Sequence, residues 1–200
     1  MRFSIGADGW VREAAQCPSP NFDARPAGSE ISLIVIHAIS LPPDQFGGPG
    51  VEALFTNRLD PSDHPYYLEI CHLRVSAHFF IRRDGSLVQF VSTLERAWHA
   101  GVSCWEGRER CNDFSIGIEL EGCDTLPFES EQYCTLAALL ESLVRSYPVT
   151  AIVGHSDVAP GRKTDPGPFF DWSRLCTDTG LAALHRRIAS RPHAISASQD

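Results

Sequence analysis

"ISLIVIH", residues 31–37, decides how the rest of the chain is read. The run is nearly continuous in apolar, mostly β-branched side chains. A strand with one wet face alternates, whereas a strand covered on both faces reads as an unbroken apolar run. A second short run, "TAIVGH" (150–155), has the same character, and both finish on histidine. Two buried strands ending alike predict a layered sheet that hands side chains to a pocket at their ends.

The intervening segments supply the rest of the sheet and its covering. "SAHFFIRRDGSLVQFV" (76–91) reads as a hairpin around Asp84-Gly85, a favoured tight-turn pair. "FSIGIELEG" (114–122) alternates, with Ile116, Ile118 and Leu120 on one face and Gly117, Glu119 and Glu121 on the other. "SEQYCTLAALLESLVRSYP" (130–148) spaces Tyr133, Leu136, Ala137, Leu140, Leu143, Val144 and Tyr147 along one helical face. Ser130 is its candidate N-cap and Pro148 its stop. "GVEALFTNRL" (50–59) reads as a short helix, and "FDWSRLCTDTGLAALHRRI" (170–188) as one or two closing helices. The predicted class is α/β, a mixed β-sheet flanked by helices. One domain over 31–190 carries an extended, turn-rich arm (1–30) packed on it and a polar tail (191–200) expected to fray.

At 200 residues, with 43% hydrophobic and 21% charged, the chain can bury a core of its own. Its net charge of -8 argues against nucleic acid as a partner. No apolar stretch approaches the roughly 20 residues that span a bilayer, and "MRFSIGADGW" lacks a signal core. A cytoplasmic monomer with no membrane or nucleic-acid partner is the expectation. Seven cysteines, an odd number without a C-x-x-C pair, read as buried reduced thiols. Arginines gather at Arg82 and Arg83, in "GRER" (107–110), and at Arg162 beside Lys163. Such clusters are ordinarily solvated turns, but in an acidic protein they also suit a small anionic substrate.

"GHSDVAPGRKTDPGP" (154–168) fixes His155, Asp157, Lys163 and Asp165 among prolines and glycines. With His37 from the first strand, His155 and Asp165 make two imidazoles and a carboxylate, a set that leaves zinc an open position. The spacing is not a local zinc motif, and structural, hydrogen-bonded histidines satisfy it equally. Glu119 is the candidate general base, because strand parity sets it opposite Ile116 and Ile118. Its plain alternative is an exposed strand glutamate, with Glu121 as the comparison. Lys163, two residues before Asp165 in an extended loop, falls on the same side and could stabilise an oxyanion, or be a surface lysine. Asp157 reads as a turn residue or as one that supports the ligands from behind.

"LIVIHAISLPP", "HLRVSAHFFIRRDG", "RAWHAGVSCWEGRERCNDFSIGIELEG" and "GHSDVAPGRKTDPGP" closely resemble the cytosolic 1,6-anhydro-N-acetylmuramoyl-L-alanine amidases of the AmpD type. These belong to a zinc amidase superfamily with phage lysozyme-amidases and peptidoglycan recognition proteins, and the resemblance runs from Gly9-Trp10 to the final helices. It implies the peptidoglycan recognition protein-like amidase fold and one Zn2+ per chain on His37, His155 and Asp165. It further implies Glu119 as catalytic base, Lys163 as the residue that steadies the transition state, and Arg74, Trp98 and Arg110 as substrate-binding residues. The implied reaction is hydrolysis of the amide between the lactyl group of 1,6-anhydro-N-acetylmuramic acid and L-alanine in imported anhydromuropeptides, during peptidoglycan recycling. Relatives commonly carry Asn after the first zinc histidine, where this chain has Ala38, so one amide that grips substrate is missing. A non-catalytic peptidoglycan-binding module of the same fold is the alternative. The presence of all three candidate ligands and both catalytic partners favours the enzyme. A cysteine hydrolase is disfavoured, since no cysteine sits at a strand-to-helix turn beside a histidine.

Overall fold

The doubly covered run is an interior strand of a six-stranded mixed sheet in the computed structural model, which describes residues 2–185. In chain order the arm gives β1 (Ala15–Gln16) and β2 (Phe22–Ala24), followed by β3 (Leu33–Ile39). Helices α1 (Gly50–Phe55) and α2 (Pro65–Ile70) precede the hairpin β4 (Phe79–Ile81) and β5 (Leu87–Gln89). Next come β6 (Glu95–Ala97), β7 (Cys104–Trp105), β8 (Arg108–Glu109) and the alternating strand β9 (Ser115–Glu121). Helix α3 (Ser130–Ser146), β10 (Ala151–Gly154), the helical turn α4 (His155–Val158) and α5 (Trp172–Thr179) complete it. The sheet order is β1-β5-β4-β9-β3-β10, and β2-β6 and β7-β8 form separate ribbons. β3 is parallel to both neighbours, β9 and β10, which explains why its apolar run has no polar face.

Parity divides the two faces. Ile34, Ile36, Ile116, Ile118 and Leu120 pack with Leu136, Leu139, Leu140 and Leu143 of α3. On the other face Leu33, Val35, Ala151 and Val153 meet Trp105, Phe114 and Val158. A third cluster joins Leu54, Phe55 and Tyr67 of the short helices to Phe80, Val88 and Phe90. Ile118 is wholly buried at the centre. Ile118→Ala is therefore expected to cost about 2–5 kcal/mol, read as a lower urea midpoint at unchanged slope.

The arm does more than cross the surface. β1 adds an edge strand beside β5, and β2 pairs antiparallel with β6. Arg25 is half-buried, and its guanidinium donates to the carbonyls of Thr93, Asn112, Asp113 and Ser115.

Several boundaries differ from the sequence reading. The helix read as 50–59 stops at Phe55, because Asn57 takes a left-handed backbone (φ 59°) that ends it. α3 is capped by Glu129 rather than Ser130; the Glu129 N–H is held by the Gln132 side chain, the reciprocal half of a capping box. The hairpin turn falls as expected, with Gly85 at φ 81° and Arg82 N–H donating to Ser86 O. Among the cysteines only Cys111 is buried, and none of the seven forms a disulfide. Of the second closing helix only a 3-10 turn, Ala182–Leu184, is seen; the rest of that reading, 186–188, and the tail 191–200 lie outside the described residues. No helix among the described residues is long and apolar enough to cross a membrane.

Candidate metal centre

Register builds the site. Parallel pairing sets Glu119 of β9 directly beside His37 of β3. Pairing of Gly154 with Ile36 then brings His155, the next residue, level with His37. One lateral row thus carries Glu119 and His37 on neighbouring strands and His155 just past the end of a third. His37 does not terminate its strand, since β3 continues to Ile39, so the imidazole is held by paired backbone on both sides. His155 opens α4 immediately after β10, and the Asp157 carboxylate accepts from Gly154 N–H to fix that turn.

Asp165 arrives on the loop after α4. Its Oδ2 lies 3.2 Å from His37 Nδ1 and 3.0 Å from His155 Nδ1, and the two Nδ1 atoms are 3.0 Å apart. The partners of the far ring nitrogens say what those atoms carry. His155 Nε2 faces Ala100 O at 3.2 Å, and a carbonyl only accepts, so Nε2 holds the proton and Nδ1 the lone pair. His37 Nε2 is engaged by His99 Nδ1 at 2.9 Å. With His37 Nε2 donating there, three lone-pair atoms converge, which is repulsive unless a bridging proton or a metal cation lies between. Nitrogen, nitrogen and carboxylate oxygen are zinc donors, so the residues present fit that ion. Among the described residues this is the one group of histidine, cysteine or acidic side chains placed to share a metal.

The electrostatics agree with that donor set. Burial, reinforced by His155, lowers the His37 pKa to about 4, leaving the neutral imidazole that ligation needs. Burial also lowers His78, to about 3, and lowers His99 well below its ordinary value. For Asp165 burial works against the charge, but in the metal-free site hydrogen bonds from His155 and His37 prevail and hold its carboxyl well below the usual range, and an ion takes over that role when it displaces the bridging protons.

Glu119 is 8% exposed, with Oε1 4.0 Å from His37 Nδ1 and Oε2 buried without a partner. Burial, then the charge of Asp165, pushes its pKa well above the carboxylate range, while Lys163 pulls the other way. Glu121, also on this face, is committed elsewhere: it accepts from Gly47 N–H and Arg83 N–H and faces Arg82. The comparison therefore separates a carboxylate with a free oxygen from one used to tie loops. Lys163, the only lysine in the sequence, is exposed and lines the same cavity as Glu119, His37 and Asp165. Its loop is anchored by Arg162, which donates to Ala100 O and Val102 O.

The cavity measures about 360 Å³. Trp98 forms part of its wall, with its indole N–H on Asp23. Leu54, Phe55, Tyr66, Ile70 and Leu73 give it an apolar side. Ala38 lines it without offering a side-chain polar atom. Arg74 and Arg110 do not line it. The Arg74 guanidinium turns back to the carbonyls of Cys71 and Leu73, while Arg110 pairs with Asp113 and borders a separate cavity of about 530 Å³. Sequence reasoning missed the α2 wall, because six residues show too little periodicity. The available signal was Pro65 at the first helical position behind His64, whose ring accepts from Tyr66 N–H. It also missed His99 and Asn112, which support the two imidazoles.

Comparison with known proteins places this geometry in context. The family described as N-acetylmuramoyl-L-alanine amidase matches residues 27–168. The 1,6-anhydro-N-acetylmuramyl-L-alanine amidase AmpD of Salmonella typhimurium (strain SL1344) is 60% identical over 169 residues, covering 84% of this chain and 90% of the relative. A crystal structure of a Se-Met AmpD derivative superposes with a TM-score of 0.85 at 55% identity, covering 88% of this chain and 99% of that one. The E. coli amidase AmiD, solved with the substrate anhydro-N-acetylmuramic acid-L-Ala-D-gamma-Glu-L-Lys, superposes with a TM-score of 0.55 at 29% identity, covering 87% and 65%.

Proposed function

This chain belongs to the N-acetylmuramoyl-L-alanine amidase family, in its AmpD type, and on that footing we propose that it is a zinc hydrolase of anhydromuropeptides. The bond cleaved is the amide between the lactyl group of 1,6-anhydro-N-acetylmuramic acid and L-alanine. The observation that carries the reading is the convergence of three lone-pair donors beside a buried carboxylate with a free oxygen, all open to one cavity.

His37, His155 and Asp165 hold the ion, which when bound supplies Lewis-acid polarisation of a carbonyl and makes water nucleophilic at neutral pH. Glu119 takes a proton from the water as oxygen bonds to the lactyl carbon. It returns that proton to the L-alanine nitrogen as the carbon–nitrogen bond breaks, leaving a lactyl carboxylic acid and an amine, and the acid's remaining proton then passes to the amine to give carboxylate and ammonium. The Lys163 ammonium stabilises the oxyanion between those steps. Trp98 walls the sugar side, and the exposed guanidiniums of Arg74 and Arg110 meet the stem-peptide carboxylates when they swing from their present partners. Arg82 and Arg83 are excluded from that role by their pairing with Glu52 and Glu129. The reaction is read as cytoplasmic, on imported fragments, and the seven unpaired cysteines support that reading.

Mass spectrometry of an anhydromuropeptide digest, paired with zinc analysis, tests the reading. Release of the free stem peptide by a protein with one zinc per chain is expected; a metal-free protein that binds without cleaving overturns it. Lys163→Ala is expected to lower kcat by about 10²–10³, as for a lost oxyanion partner. A change confined to KM would make Lys163 a binding residue instead.

A further inference from the structure

Two adjacent residues, His99 and Ala100, face the far nitrogens of both imidazoles. His37 Nε2 lies 2.9 Å from His99 Nδ1, and His155 Nε2 donates to Ala100 O. The pair is fixed from behind by Asn112 Oδ1, which accepts both backbone N–H groups at 3.2 and 2.8 Å. The His99 ring is seated on three sides. Its Nε2 is 3.1 Å from Ser115 Oγ, and its plane stands at 85° to the His37 ring with centroids 5.0 Å apart. Its third contact is Gly117, where a Cβ would come within 2.4 to 2.7 Å of three ring atoms. Gly117 precedes Glu119 by two residues on the same face of β9, so the ring fits there only because that position has no side chain.

The His37–His99 contact holds one proton, and where it sits decides what His37 presents. With His99 accepting, His37 is protonated on Nε2 and shows the Nδ1 lone pair to His155 and Asp165. With His99 donating, His37 carries its proton on Nδ1 and points an N–H at the same two groups. Only the first arrangement can ligate. Ala100 O already imposes the corresponding tautomer on His155. We propose that His99 is a positioning residue of the metal centre: it accepts from His37 Nε2–H, donates to Ser115 Oγ, and so keeps His37 Nδ1 free for the ion. The inference rests on the zinc reading of the site.

Zinc affinity by competition with a chromophoric chelator, together with the His37 tautomer from nitrogen-15 NMR, tests it. Wild type is the control, and if it binds no zinc, the reading of the centre and this inference fall together. With wild type loaded, His99→Ala is expected to weaken zinc binding about 10–100-fold. His99→Gln, whose carbonyl can accept from His37 while its amide donates to Ser115, is expected to recover most of that loss. Gly117→Ala displaces the ring, and should weaken zinc in the parent but add nothing in the His99→Ala background. Unchanged affinity in His99→Ala with His37 still protonated on Nε2 overturns the inference while the zinc reading stands. Equal weakening by Ala and Gln overturns it as well.

Discussion

His155→Ala is expected to lose zinc and at least about 10³-fold in turnover, because metal polarisation is worth several kcal/mol and each factor of ten about 1.4. The substitution removes one of three donors and leaves His37 and Asp165 as an incomplete set. It should not unfold the protein. The one buried group it deprives is Ala100 O, which keeps its bond from Arg162 at 2.8 Å. Circular dichroism is therefore expected to match wild type while zinc content falls. Zinc added to the stripped wild type should raise its Tm through binding to the folded state alone, and the variant should show no such rise. Full zinc occupancy in the variant, or undiminished cleavage by chelator-stripped wild type, would remove His155 from the centre.

How much of this was legible in the sequence follows from which contacts are local. β3 was readable because a strand between two parallel neighbours has no wet face, and β9 because its alternation is strict. Parity alone placed Glu119 opposite Ile118, and the Pro- and Gly-rich loop marked Lys163 and Asp165 for attention. What the sequence could not show is register. That Glu119 pairs with His37, and Gly154 with Ile36, is settled by packing across more than 80 positions of chain, as His37↔Glu119 illustrates. The fate of Glu121 was likewise hidden, since Gly47 and Arg83 reach it from two other segments. So was the support of the imidazoles by His99, Ala100 and Asn112, which alternation does not encode. The Glu129 cap was visible in principle, as a Gln three residues on, but Ser130 is the commoner cap type.

Glu119→Gln keeps shape and removes the proton acceptor, so kcat is expected to fall about 10²–10⁴-fold with zinc retained. The same substitution tests the cost of the site. Burial and Asp165 raise the folded-state pKa of Glu119 above its unfolded value of about 4.3. Between those two values the folded state binds the extra proton, so stability falls as pH rises through the window. Metal-free Glu119→Gln, which cannot ionise, should therefore be more stable than metal-free wild type at pH 7 and match it below about pH 4. Only the carboxylate form accepts a proton, so cleavage by the zinc-loaded enzyme should rise with pH through the Glu119 value, which the bound cation holds below that of the metal-free protein. Lys163 lowers that value, so Lys163→Ala is expected to move the limb to higher pH as well as depress kcat. Normal turnover by Glu119→Gln would show that the strand carboxylate is not the base, and no gain in the metal-free form at neutral pH would show that it is not an unfavourably buried charge.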